Sequence, residues 1–250
     1  MSGHSKWSTI KHKKARTDEK KGKEYTKLAK EIIIAARAGG GDPESNSKLK
    51  LAIQNAKAIN MPNENISRAI KRGTGEIESD MIEELIYEGY APGGVAVMLA
   101  IATDNRNRTA ADIRHLFAKN NGNLGESGCV AYMFERTGLL TVNREHLKMD
   151  VEDFMLQAIE AGADDVKEDD EEIEVTTSPD NFMGVREALE KVVKLEEADI
   201  VMLPNMTVDI NDEVMAAKVL KLIDALEDHD DVQNVYSNFS IPDEILEKMM

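Results

Sequence analysis

The sequence predicts an α+β protein in which an N-terminal three-helix bundle is followed by two α+β domains, one ferredoxin-like and inserted into the other. Three observations predict it. Apolar residues recur at helical spacing as far as Gly73. From Met81 the pattern changes to strand-sized apolar runs separated by turn residues. Residues 138–204 then read β-α-β-β-α-β, the order of the split βαβ unit.

The elements follow in order. Residues 1–17 form a polar, basic arm, and Thr17 is placed as the N-cap of a first helix reaching Ala38. Its stripe is Tyr25, Leu28, Ala29, Ile32 and Ala36, and the Gly39-Gly40-Gly41 run ends it. A second helix spans about Asn46 to Ile59, with Leu49, Ala52, Ile53 and Ala56 on one face. A short third helix carries Ile66, Ala69 and Ile70 and is expected to stop at Gly73. Three helices with one apolar stripe each make a small bundle.

Ile82–Tyr90 and Val95–Thr103 then read as a hairpin around Ala91-Pro92-Gly93-Gly94. Thr109-Ala110-Ala111-Asp112 resembles a capping box opening a helix with Ile113 and Phe117, and Val130–Glu135 reads as a strand. The six-element unit comes next: strand Leu139–Asn143, helix Asp150–Ala161, strands Asp164–Lys167 and Ile173–Thr177, a helix opened by Ser178-Pro179 and running to Val193, and strand Ala198–Leu203. After Pro204 a strand, a helix capped by Asn211 and a strand at Val232–Phe239 remain. They cannot join a complete six-element unit, so they are assigned to the half-built sheet before it. The expected division is 1–21 for the arm, 22–76 for the bundle, 77–136 plus 206–242 for a discontinuous domain, and 137–205 for the insertion.

Composition narrows the function. Cys129 is the only cysteine, so no internal disulfide framework is possible. The Lys-rich opening lacks the apolar run of a secretory signal, and no segment reaches membrane-span length, so a cytoplasmic protein is expected. The net charge of −16 argues at first against a polyanionic partner. It hides a division: residues 1–73 hold 17 basic and 7 acidic residues, a balance of +10, while the other 177 hold 14 and 40, a balance of −26. At physiological salt the Debye length is about 8 Å, so a phosphate backbone responds to the local charge and not to the total.

The candidate nucleic-acid contacts are Lys6, Trp7, Lys11, His12, Lys13, Lys14, Arg16, Lys20, Lys21 and Lys23 in and beside the arm, and Arg68, Lys71 and Arg72 on the third helix. Lysines release counterions from a phosphate backbone. Trp7 has two readings, a base-stacking aromatic and a buried core anchor. The cations of the third helix equally suit the negative end of its own dipole. Arg106 and Arg108 precede the supposed Thr109 cap, where a cation gains nothing from the dipole. A structural ion pair is expected for Arg106, and a phosphate contact for Arg108.

Glu168-Asp169-Asp170-Glu171-Glu172 and Glu227-Asp228-His229-Asp230-Asp231 are acid-rich, but lack EF-hand spacing and its glycine, and read as solvated turns. No phosphate-binding Gly-rich loop or nucleophile elbow is present, and Cys129 reads as a packing residue. Neither an enzyme, a cofactor, a bound metal nor a small-molecule substrate is expected; a metal-dependent hydrolase with an acidic cleft is the remote alternative. Without a heptad seam a monomer is expected.

Met1-Ser2-Gly3-His4-Ser5-Lys6-Trp7, followed by Ile10-Lys11-His12-Lys13-Lys14, resembles the opening of the YebC/PmpR family. So do Asn105-Arg106-Asn107-Arg108-Thr109, Gly122-Asn123-Leu124-Gly125, and the run from Glu227-Asp228 to Asp231-Val232-Gln233-Asn234-Val235-Tyr236. The likeness covers essentially the whole chain; Ser2 stands where many members have Ala. It implies three domains with a helical bundle first, and a transcriptional regulator that binds promoter DNA. Mitochondrial relatives that act as translational activators, and bacterial members tied to the ribosome, imply the alternative of an RNA-binding translation factor.

Overall fold

The computed structural model describes residues 18–169 and 172–248. The bundle comprises α1 (Asp18–Gly39), α2 (Ser47–Ala58) and α3 (Asn63–Thr74). Ile32, Ile33, Ala36, Leu49, Ala52, Ala56, Ile66 and Ala69 are buried together, so the stripes meet as their spacing requires. Asn46 joins two helix ends. Its Oδ1 accepts from the Leu49 amide at 3.1 Å as the cap of α2, and its Nδ2 donates to Ala35 O at 2.8 Å and Gly40 O at 2.9 Å.

Gly73 does not end the third helix. α3 continues to Thr74 and stops at Gly75, whose φ of 83° is the left-handed conformation of a glycine cap. Gly73 instead marks where α3 crosses α1: a Cβ there would lie 2.6 Å from both Ile33 O and the Ala36 Cβ. Gly73→Ala is therefore expected to push α1 and α3 apart and lower stability by about 2 kcal/mol, even after the better helix propensity of alanine. Urea melts would check this, and an unchanged midpoint would mean that the crossing yields freely.

β1 (Glu83–Tyr90) and β2 (Ala96–Thr103) form the expected antiparallel hairpin, with Glu83 opposite Thr103 and Tyr90 opposite Ala96. β2 also pairs with β9 (Val232–Ser237), and β1 with β3 (Asn123–Leu124), giving the order β3-β1-β2-β9. Helices α4 (Arg106–Lys119) and α7 (Glu213–Glu227) cover one face. There Val97, Leu99 and Ile101 pack with Ile113, Phe117, Leu222 and Leu226. Alternate residues of β2, Ala96 and Met98, face a smaller core with Val130 and Phe134. Both faces of β2 are covered, which is why its apolar run is continuous and not alternating.

Between β3 and β8 (Val208–Asp209) the chain forms the inserted unit: β4 (Phe134–Asn143), α5 (Val151–Glu160), β5 (Asp165–Glu168), β6 (Glu172–Thr177), α6 (Phe182–Leu189) and β7 (Glu197–Pro204). Its sheet order is β5-β6-β4-β7, antiparallel throughout, as a ferredoxin-like unit requires. The chain closes with β10 (Phe239–Ser240), paired in parallel with β8, and α8 (Asp243–Lys248).

Several local expectations are corrected. Val130–Glu135 is not a separate strand. Ala131–Met133 is a single 3-10 turn, and β4 starts at Phe134 because its pairing with β7 extends to Phe134 opposite Pro204. Ser178-Pro179 does not begin a helix; α6 starts at Phe182. Thr109 is not the cap of α4. Asn105 is, its side chain accepting from the Arg108 amide at 3.1 Å. Thr17 lies outside the described residues. No described helix is long and apolar enough to cross a membrane.

Candidate nucleic-acid interface

Lys23, Lys27 and Lys30 recur at i, i+4 and i+7 on α1 and therefore share one face. That face meets the C-terminal end of α7, where the last carbonyls of a helix lack intrahelical partners and carry its negative dipole end. Lys27 Nζ donates to Glu227 O at 2.7 Å and Lys23 Nζ to Asp228 O at 3.2 Å. Lys30 Nζ reaches Asp230 O at 2.9 Å, Ala102 O at 3.1 Å and Asp231 Oδ1 at 2.7 Å. The acidic run at 227–231 is thus a seat for lysines of the bundle and not only a solvated turn.

Asp231 is the centre of this seat and is buried. Its Oδ2 accepts from the Thr109 hydroxyl at 2.7 Å, from Arg108 at 3.2 Å and from Thr103 at 3.3 Å. Burial works to raise its pKa, but the bonds from Lys30, Thr109 and Arg108 and the Lys30 charge prevail, and they hold it at about 2.

The ion pair expected of Arg106 is found at Arg108 instead. Because α4 begins at Asn105, Arg108 lies inside the first turn and reaches back to Asp104 Oδ1 at 2.8 Å as well as to Asp231. Arg106 makes no ion pair with a described residue; its carbonyl accepts from the Tyr87 hydroxyl at 3.5 Å. Of the other candidates, Lys21 is exposed and Arg68 is paired with Glu64 at 2.7 Å. Lys71 and Arg72 are exposed, as are Arg37, Lys48 and Lys57, and none of the five forms an ion pair with a described residue. Lys6, Trp7, Lys11, His12, Lys13, Lys14 and Arg16, and the side chain of Lys20, lie outside the described residues.

A groove of about 780 Å³ runs along this junction, lined by Lys23, Lys30, Arg72 and Arg108 and by seven carboxylates. Among the described residues no group of three or more His, Cys, Asp or Glu side chains could hold a metal ion.

Two carboxylates at packed positions, Glu88 buried and Glu31 half-buried, escaped sequence reasoning. Glu88 on β1 accepts from the Gly128, Val130 and Ala131 amides at 2.6, 2.8 and 2.8 Å and fixes the loop before β4. Burial works to raise its pKa; those three amides lower it. Glu31 sits where the three units meet, beside Asp199 of β7 and Glu84 of β1, and its pKa is pushed up to about 7 by burial first and then by those two charges. A charged residue within an apolar helical stretch, Glu31 before Ile32-Ile33-Ile34, was the available signal.

Two family profiles match the chain: "TACO1/YebC protein N-terminal domain" over residues 5–76 and "TACO1/YebC second and third domain" over residues 82–239. The chain belongs to the TACO1/YebC family. Among relatives in the TACO1/YebC family, one from Syntrophomonas wolfei, named "Probable transcriptional regulatory protein", is 71% identical over 248 residues, covering 98% of this chain and 99% of its own. A relative of the same name from Halothermothrix orenii is 58% identical over 250 residues, covering 100% and 99%. The crystal structure of the conserved hypothetical protein Aq1575 from Aquifex aeolicus is 53% identical and superposes with a TM-score of 0.83 over 92% of this chain and 94% of that one. The TACO1/YebC fold is therefore shared between two chains that differ at nearly half of their positions.

Proposed function

We propose that this chain regulates gene expression by binding nucleic acid through its basic N-terminal third, with DNA as the target. The observation that carries this reading is the local balance of +10 over residues 1–73, with Arg37, Lys48, Lys57, Lys71 and Arg72 exposed and in no ion pair with a described residue. Relatives named probable transcriptional regulatory proteins support transcription as the process. Phosphate contacts of this kind supply affinity without specifying sequence.

A second reading, contact with structured RNA such as the ribosome's, is favoured by one feature. The exposed cations stand near the ends of all three helices, Arg37 on α1, Lys48 and Lys57 on α2, Lys71 and Arg72 on α3. They do not run along one helix that could lie in a major groove, and such scatter suits backbone and shape recognition.

Salt titrations of full-length protein against labelled DNA and RNA test both. Replacing Lys11, Lys13, Lys14 and Arg16 with Ala, and separately Lys48, Lys57, Lys71 and Arg72, should each weaken binding. The slope of log K against log salt should fall by about 0.7 to 0.9 per lost contact. A slope unchanged in both variants would refute the electrostatic interface. Preference for RNA over DNA at equal salt would favour the second reading.

A further inference from the structure

The part of the basic surface that faces the acidic two-thirds of the chain is already occupied. Lys23, Lys27 and Lys30 offer one row of ammonium groups. That row is matched, at 2.7 to 3.2 Å, by the carbonyls of Glu227, Asp228 and Asp230 and by the Asp231 carboxylate. We infer that residues 227–231 are a built-in competitor for polyanions, which occupies the α1 lysines in this closed arrangement and must be displaced before a phosphate backbone can use them. The inference rests on the nucleic-acid reading above and adds its regulation.

Three physical features carry it. First, the competitor has the chemistry of the ligand it excludes. The end of a helix presents oxygens with roughly half a negative charge, Asp231 adds a full one, and an ammonium group binds phosphate oxygens with the same three donors. Second, the closed groove repels a polyanion, because four cations stand there against seven carboxylates. The three of them that belong to the bundle, Lys23, Lys30 and Arg72, become an attractive surface only when the acidic wall, which carries Arg108 on α4, moves away. Third, separation is compatible with keeping both cores. The bundle core and the core under α4 and α7 are distinct clusters, and the contact between α1 and residues 227–231 is made of polar groups. Leu51, packed against the core of the inserted unit beside the Lys50–Glu187 pair at 3.3 Å, gives the bundle a second attachment about which it can pivot.

The test uses the full chain with a short fluorescein-labelled single-stranded RNA and a DNA duplex of the same sequence. Asp231→Asn keeps the shape and removes the charge that holds Lys30. It should raise affinity about three- to tenfold, as the binding-competent fraction grows. Asp228→Asn/Asp230→Asn changes two exposed side chains and should act in the same direction even if Asp231→Asn folds poorly. Glu152→Gln/Asp180→Asn, equal in charge to that double variant but placed on the inserted unit, should change affinity less than about twofold. Hydrogen–deuterium exchange gives a readout that net charge cannot mimic: amides at 227–231 should exchange faster when nucleic acid binds the wild type. Binding with unchanged or slower exchange there, or an equal gain from the distant control, overturns the inference and leaves the nucleic-acid reading standing. Absence of binding by every form, Asp231→Asn included, removes both.

Discussion

Replacing Asp231 with Ala is expected to cost about 3 kcal/mol of stability, because it leaves the Lys30 ammonium group in a largely enclosed site without its carboxylate. The Lys30 side chain keeps 17% of its exposure and the Asp231 side chain 7%, so the pair is poorly screened by solvent. Arg108 is 51% exposed, and the loss of its contact should add little. Urea denaturation would measure the loss as a lower midpoint at constant slope. The companion variant Asp231→Ala/Lys30→Met should recover part of it, since the stranded charge goes as well; no recovery would mean that the Thr103 and Thr109 hydrogen bonds carry the effect. The same pair sets an acid limb. The folded-state pKa of about 2 lies below the ordinary 3.8, so this contribution is complete above pH 3.8 and is lost as pH falls towards 2. The limb should be worth about 2 kcal/mol in the wild type and be absent from the Asn variant.

Glu31→Gln should stabilise the protein at pH 8 by about 2 to 3 kcal/mol and do nothing below pH 4.5. The sign follows from the direction of the shift. The Glu31 carboxyl titrates at about 7 in the folded protein against an ordinary 4.5, so the folded state holds a proton that the unfolded state has released. Stability therefore falls as pH rises from 4.5 to about 7, and the penalty stays constant above that. Burial is the main cause, and Asp199 and Glu84 deepen it from the inserted unit and from β1. Asp199 is itself raised, chiefly by burial, and Tyr236 is pushed up by burial and by the charges of Asp199 and Glu31. Glutamine keeps the shape without the charge. Thermal melts at pH 4 and pH 8 would show the difference, and a stabilisation equal at both would exclude titration of Glu31 as its source.

Much of the architecture was legible because it is periodic. The bundle stripes of Leu28, Ile32 and Ala36, of Leu49, Ala52 and Ala56, and of Ile66 and Ala69 announce helices, since helical spacing is a property of neighbouring residues. The β-α-β-β-α-β order of the inserted unit, and the surplus strand and helix after Pro204, pointed to nesting before any pairing was known. Where local reasoning failed, a distant partner decided. Gly73 resembles a helix stop, yet the backbone of α1 lies against it and makes it a crossing point. Strand β4 begins earlier than its sequence suggests because β7 is there to pair with it.

The candidate site divides in the same way. The sequence alone determined that the first 73 residues carry the positive charge and the rest the negative. Only the tertiary structure decided which cations remain open to a partner. Lys23, Lys27 and Lys30 meet acceptors 200 or more residues away along the chain, and Arg108 meets one 123 residues away. An ammonium or guanidinium group binds a phosphate oxygen, a helix-end carbonyl and a carboxylate by the same charge-assisted hydrogen bond. Residue type therefore fixes the chemistry such a group can perform, and the docking of α1 against the end of α7 selects which oxygen it holds.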